Sequence, residues 1–260
     1  MTSTLINLNG RRLAFDMQVH ANAAAPVVVL EPGMLAESSE WQSVCKQTSA
    51  FASVIRYDRA GRGQSDPAPK PRTMQDLVND LYLLLKAIPI QPPWLLVGQS
   101  IGGWIVRCLA SAHPQDVAGL VLVDPTHECQ FTKMSALLPP EAENESPSLQ
   151  RFRSFWSEGY KHPEQNHEGI NFPSSIAAMS DYSLPLNLPV TVLTSGTNLN
   201  EMDAPLELRK SLHKTWLDLH NSLLPLAPLG KHIILPDSGH FIQRDDPSAI
   251  VSAIREMLAQ

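Results

Sequence analysis

Short apolar runs rich in β-branched residues punctuate this chain: VVVL at 27–30, SVIRY at 53–57, WLLV at 94–97, AGLVLV at 118–123, PVTVL at 189–193 and HIIL at 232–235. Runs this short, apolar on both faces, predict strands inside a sheet that is covered on both sides. Upstream, residues 4–9 and 12–20 alternate around Asn9-Gly10, which predicts an antiparallel hairpin. Between the runs the period becomes helical. Over 73–88, Leu77, Val78, Leu81, Leu84, Leu85 and Ile88 share one face, with Thr73 placed as N-cap and Asp76 completing a capping box. Further helices are predicted over 101–112, stopped by His113-Pro114, over 205–222, and over 247–259, where Asp246 caps and Pro247 takes the first helical position. Strand and helix in alternation predict an α/β fold with a mostly parallel central sheet flanked by helices.

One stretch breaks the rhythm. Residues 125–187 hold no convincing buried strand, are rich in proline and carry four of the seven phenylalanines. A segment of this length is not a bare loop in a compact domain. It is expected to be a helical lid inserted after the sixth strand, with residues 1–124 and 188–260 forming the core.

Composition narrows the function more by exclusion than by choice. In 260 residues, 43% are hydrophobic and 18% charged, as in ordinary globular proteins, and the net charge of -6 offers no basic face for nucleic acid. Three scattered cysteines, Cys45, Cys108 and Cys129, make no disulfide framework. The first twenty residues lack the apolar core of a signal peptide and no run has the length of a membrane span, so a cytoplasmic location is expected. His127-Glu128-Cys129 is not a zinc-binding spacing, and no dinucleotide-binding glycine motif follows a predicted strand. The expected partner is a small-molecule substrate, without metal or cofactor.

The run at 94–97 leads directly into Gly98-Gln99-Ser100-Ile101-Gly102 and then a predicted helix. A serine hydroxyl is a weak nucleophile unless a base takes its proton, and in mid-helix it reaches no substrate. A sharp strand-to-helix turn exposes it, and only small flanking residues let the backbone fold so tightly. The spacing alone could mark a glycine-rich strand end. Its position, mid-chain between a buried strand and a helix in an α/β pattern, points to Ser100 as a nucleophile.

VGQSIGGW at 97–104 resembles the nucleophile elbow of the α/β-hydrolase superfamily. RYDRAGRGQSD at 56–66 is similar to the segment after the fourth strand in its lidded esterase and haloperoxidase-like members, and PDSGHFIQRDDP at 236–247 to its late histidine loop. The three stretches occur in family order. Imidazole takes and returns a proton near neutral pH, and His240, just after the last predicted strand, is the expected base.

The acid departs from the common pattern. After the strand at 189–193 the chain reads TSGTNLNEMDAP, with Asn198 and Asn200 where an aspartate is usual and Glu201 and Asp203 slightly late. An amide cannot balance an imidazolium. Asp124 ends GLVLVD, the strand after the nucleophile helix, where haloalkane dehalogenases among the relatives carry their acid. It is therefore the preferred candidate, with Asp203 as the alternative; a cap on the following turn is the competing role for Asp124. The resemblance further implies oxyanion donors at the backbone of Ile101 and, since Pro32 has no N–H, of Met34. Glu31, in the place of a common histidine, reads either as a hydrogen-bond acceptor or as a buried acid.

Phe131, Met134, Phe152, Phe155, Trp156, Tyr160 and Phe172 lie in the lid segment, either packing onto the core or lining an apolar pocket; Arg151 and Arg153 could meet a substrate carboxylate or face solvent. Together these features imply a serine hydrolase of small to medium, mainly apolar carboxylic esters. The competing readings are a hydrolase-fold binding protein with little turnover, or carbon–carbon, peptide or perhydrolysis chemistry from the same residues.

Overall fold

The hairpin at Asn9-Gly10 forms as the alternation predicts, with both turn residues at positive φ (54° and 88°). It begins an eight-stranded sheet in the computed structural model, whose described residues are 3–21, 26–185, 187–197, 199, 202–224 and 230–259. The strands are β1 (Thr4–Leu8), β2 (Arg11–Gln18), β3 (Val28–Glu31), β4 (Val54–Tyr57), β5 (Trp94–Gln99), β6 (Val117–Val123), β7 (Val190–Ser195) and β8 (Gly230–Leu235). Their spatial order is β1-β2-β4-β3-β5-β6-β7-β8. β2 runs antiparallel to β1 and β4, and the pairs from β4 across to β8 are parallel.

The helices are α1 (Gln42–Thr48), α2 (Met74–Ala87), α3 (Ile101–Ala112), α4 (Gln130–Ser135), α5 (Pro147–Ser157), α6 (Phe172–Ala177), α7 (Leu206–Asn221), α8 (Ile242–Asp245) and α9 (Pro247–Leu258). Thr73 and Asp76 make the reciprocal capping box that starts α2, and the Asp246 side chain caps α9 at Ala249 N–H. Alternate residues of each strand face opposite layers. In β5, Trp94 and Leu96 pack with Leu77 and Leu81 of α2 and Ile105 and Leu109 of α3, while Leu95 and Val97 pack with Val44 of α1 and Ile250 and Ile254 of α9. Among the described residues no helix is long and apolar enough to cross a membrane.

The run at 232–235 corrects the sequence pattern. The pattern places it inside the sheet, but among the described residues β8 is an edge strand, paired with β7 alone, and Ile234 is half exposed. An apolar run signals burial on two faces, not a neighbour on each side, so it does not separate a flank from the centre.

A helical lid is inserted between β6 and β7, built from α4, α5, α6 and short 3₁₀ turns. It is stitched to the core near residue 72. Arg72 N–H donates to Gly169 C=O and Asn171 N–H to Arg72 C=O, both at 2.7 Å, and the N–H of Met74 donates to the Ser175 hydroxyl at 3.0 Å.

Because both faces of β5 are apolar, alternation does not by itself set its end. Close packing does: a Cβ on Gly98 would lie 2.4 Å from the Gly102 carbonyl oxygen, and one on Gly102 would lie 2.5 Å from that of Glu31. Gly98→Ala is expected to cost at least about 2 kcal/mol in urea denaturation, as backbone must shift to relieve the overlap. A change below about 0.5 kcal/mol would show that the turn relaxes freely.

Candidate active site

Ser100 sits between β5 and α3 with φ 53° and ψ -121°. That backbone is strained for a residue with a Cβ and is held by its surroundings. Ser100 N–H donates to Val123 C=O at 3.0 Å, and its own C=O accepts from Gly103 and Thr126 N–H, each at 2.9 Å. The strained turn lifts the side chain to the carboxyl end of the sheet, beside the end of β6.

Asp124 follows β6 there, wholly buried and also at positive φ (43°). Its Oδ1 accepts from Ser195 N–H and from Trp216 Nε1, each at 2.9 Å, and its Oδ2 lies 2.7 Å from His240 Nδ1. Burial pushes this carboxyl upward. The hydrogen bonds from His240 and Trp216 help to outweigh it and hold the group below its usual range. An ionised carboxylate only accepts, so Nδ1 of His240 carries a proton, and in the neutral imidazole Nε2 then keeps the lone pair. That lone pair faces the Gln99 side-chain amide: Gln99 Nε2 is 3.2 Å from His240 Nε2 and donates to His240 C=O at 3.1 Å.

Ser100, His240, Met34 and Ile101 line one cavity of about 190 Å³. Phe131, Phe155, Trp156 and Phe172 from the lid, with Trp216 of α7, supply aromatic walls, and Thr126 and Gln130 supply polar ones. The two readings of the lid aromatics are therefore compatible. Phe131 and Phe172 are buried with ring centres 5.0 Å apart, packing onto the core while also facing the cavity.

The alpha/beta hydrolase fold family model matches residues 26–184. The chain belongs to that family. It is 30% identical over 247 residues to the uncharacterized protein YqjL of Bacillus subtilis, covering 94% of this chain and 88% of that one. Among solved structures, mouse alpha/beta hydrolase domain-containing protein 10 superposes with a TM-score of 0.68 at 19% identity, covering 100% of this chain and 99% of that one. A thermophilic esterase from Thermogutta terrifontis superposes with a TM-score of 0.64 at 20% identity, covering 100% and 98%. At these identities the two structures share the fold.

Within this hydrolase fold the alternative acid lies apart from the imidazole. Asp203 is exposed, and its N–H donates to the Ser148 hydroxyl at the start of α5. Asn198, Asn200 and Glu201 lie outside the described residues. Arg153 is engaged by Glu145 and Arg151 is exposed, so neither reaches the cavity. His113 ends α3 and stacks on Tyr82, ring centres 3.6 Å apart. Glu31 is at once acceptor and buried acid: it takes hydrogen bonds from Tyr57 and Arg59, and burial pushes its carboxyl up to about 7.

Several groups escaped sequence reasoning. Gln99 and Trp216 reach the site as single residues with no local pattern; the sole signal for Gln99 is its place beside Ser100. His220 and His232, expected as ordinary polar positions, join Thr194 in a chain beneath Asp124. A carbonyl only accepts, so His220 Nε2 donates to Pro125 C=O (2.8 Å) and, neutral, its Nδ1 accepts from Thr194 (2.8 Å), which meets His232 at 2.7 Å.

Burial holds His220 down to about 4. An unfolded chain binds this proton at higher pH, near the ordinary histidine value, so the contribution to stability is complete above about 6.5 and is lost as pH falls toward 4. Full protonation corresponds to roughly 3 kcal/mol. His220→Gln is therefore expected to flatten the decline in urea stability between pH 7 and pH 4; parallel curves for variant and wild type would reject this assignment.

Proposed function

We propose that the protein is a serine hydrolase of small to medium, mainly apolar carboxylic esters, acting through Ser100, His240 and Asp124. One observation carries the reading. The serine on the strained turn and an imidazole whose far nitrogen is held by a buried carboxylate line the same cavity. Membership of the hydrolase-fold family supports the same class of reaction on a small organic substrate.

In this reading Ser100 Oγ attacks the ester carbonyl carbon as His240 Nε2 takes its proton, and Asp124 balances the imidazolium. The N–H groups of Met34 and Ile101 hold the oxygen as it becomes negative. Collapse of the tetrahedral species breaks the carbon–oxygen bond, and His240 returns the proton to the departing alcohol. Water then repeats the attack on the acyl-serine, with His240 again as base, releasing the acid and restoring Ser100.

The cavity bears on substrate size. At about 190 Å³ between aromatic walls it suits an acyl group of a few carbons. Turnover of nitrophenyl esters is expected to peak at butanoate to hexanoate, to fall for decanoate, and to vanish in Ser100→Ala. Asp124→Asn should lower kcat by about three to four decades while circular dichroism stays unchanged. A loss below tenfold would remove Asp124 from the mechanism.

The amide at His240 Nε2 favours a second reading, a binding protein whose base is already occupied. A fluorophosphonate separates the two: an activated Ser100 gains one adduct that Ser100→Ala lacks, whereas an inert serine gains none.

A further inference from the structure

The loop that follows β3, Glu31 to Leu35, is gripped from one side by Arg59. Nη1 donates to Glu31 Oε1 at 2.8 Å and also to Pro32 C=O, and Nη2 donates to Gly33 C=O at 2.5 Å. The remaining N–H groups go to Glu168 in the lid, Nε to Oε2 at 2.8 Å and Nη2 to Oε1 at 2.7 Å. All five donors of the guanidinium are thereby used, and Arg59 is 2% exposed. Glu168 completes the grip by accepting Leu35 N–H at 2.6 Å, at a residue held at φ 66°.

The arrangement has a consequence for the residue between. The Gly33–Met34 peptide is trans, so its C=O and N–H point in opposite directions. With the carbonyl fixed on Arg59, Met34 N–H is turned away from the guanidinium. Met34 borders the cavity together with Ser100.

Resting on the serine hydrolase reading above, we propose that Arg59 and Glu168 are positioning residues for the oxyanion donor. Arg59 sets the peptide plane that aims Met34 N–H toward the Ser100 side, and Glu168 makes that setting depend on the lid being seated. Neither residue touches substrate; both act through the loop. The lid then has two tasks, walling the cavity and completing the clamp behind the donor. Charge balance supports a permanent clamp. Arg59 holds Glu168 below the ordinary carboxylate range, while buried Glu31 is pushed up to about 7. In Glu168→Gln, Glu31 can ionise beside Arg59 in compensation, so this variant is expected to fold.

The test compares Arg59→Lys, Glu168→Gln and Ser100→Ala with wild type. The readouts are nitrophenyl butanoate kinetics, inhibition by an aryl trifluoromethyl ketone, which forms a tetrahedral oxyanion on serine, and thermal melting. A lysine cannot hold two carbonyls and two carboxylates at once. Arg59→Lys is expected to lose kcat by about 100-fold and Glu168→Gln by about tenfold, with KM within about threefold of wild type. Ketone affinity should fall by the same factor as kcat/KM, which a merely structural role would not produce. Folded variants with wild-type kcat and ketone affinity, or a loss carried wholly by KM, overturn the proposal. If Arg59→Lys does not fold, Glu168→Gln alone decides. If neither folds, the proposal is overturned, because the network is then a requirement of folding. Full activity in Ser100→Ala overturns the serine reading and this inference with it; Ser100-dependent activity indifferent to the clamp overturns the inference alone.

Discussion

The Asp124 carboxylate is wholly buried at the carboxyl end of the sheet, and much of the surrounding structure answers to it. Removing Asp124 from water is costly unless its oxygens are fully partnered. The partners come from distant parts of the chain: Ser195 N–H from β7, Trp216 from α7 and His240 from the loop after β8. Satisfying a single buried charge therefore fixes the mutual placement of the sheet's carboxyl end, the helix after β7 and the histidine loop. Burial, working against the Asp124 charge, keeps His220 neutral nearby, where it serves a hydrogen-bonded chain rather than a second ion pair.

A comparable logic acts on the other side of the cavity. Arg59 is the only guanidinium among the described residues that joins the loop after β3 to Glu168 of the lid, and its buried charge is matched there by acceptors on both. The two buried centres flank Ser100, one behind the imidazole and one behind the Met34 loop. Between them the glycines at 98 and 102 allow backbone approaches that no side chain would tolerate. The cavity is thus framed by polar networks below and aromatic packing above. Phe131, Phe155, Trp156 and Phe172 supply that aromatic packing, all contributed by a segment that has no strand of its own among the described residues.

Local chemistry was legible in the chain to the extent that it is repeated or capped. The strands from β3 to β7, the hairpin, α2 with its capping box and α9 with Asp246 all follow from spacing that short-range sterics and burial impose. The turn at Ser100 was equally legible, since a serine between close glycines at a strand end has few other backbone solutions. β8 was misjudged as interior because apolar residues report how much surface is covered, not which strand lies alongside. The contacts of Gln99, Trp216, Arg59 and Glu168 were not legible, because each acts as one side chain whose partners are far away in sequence, even though Gln99 and Arg59 lie within stretches that resemble the family.

By itself, the sequence determined the alternation of strands and helices, the place of the lid, the tight turn at Ser100 and the histidine after the last strand. Each is encoded within a few neighbouring residues. Only the tertiary structure decided that Asp124 rather than Asp203 meets His240, across 116 positions of chain. It alone placed Gln99 against the imidazole and tied Glu168 to the loop beneath Met34. The reason is physical. A buried charge accepts whatever donors the packed elements bring within about 3 Å, and that distance is set by how strands and helices assemble, not by their order.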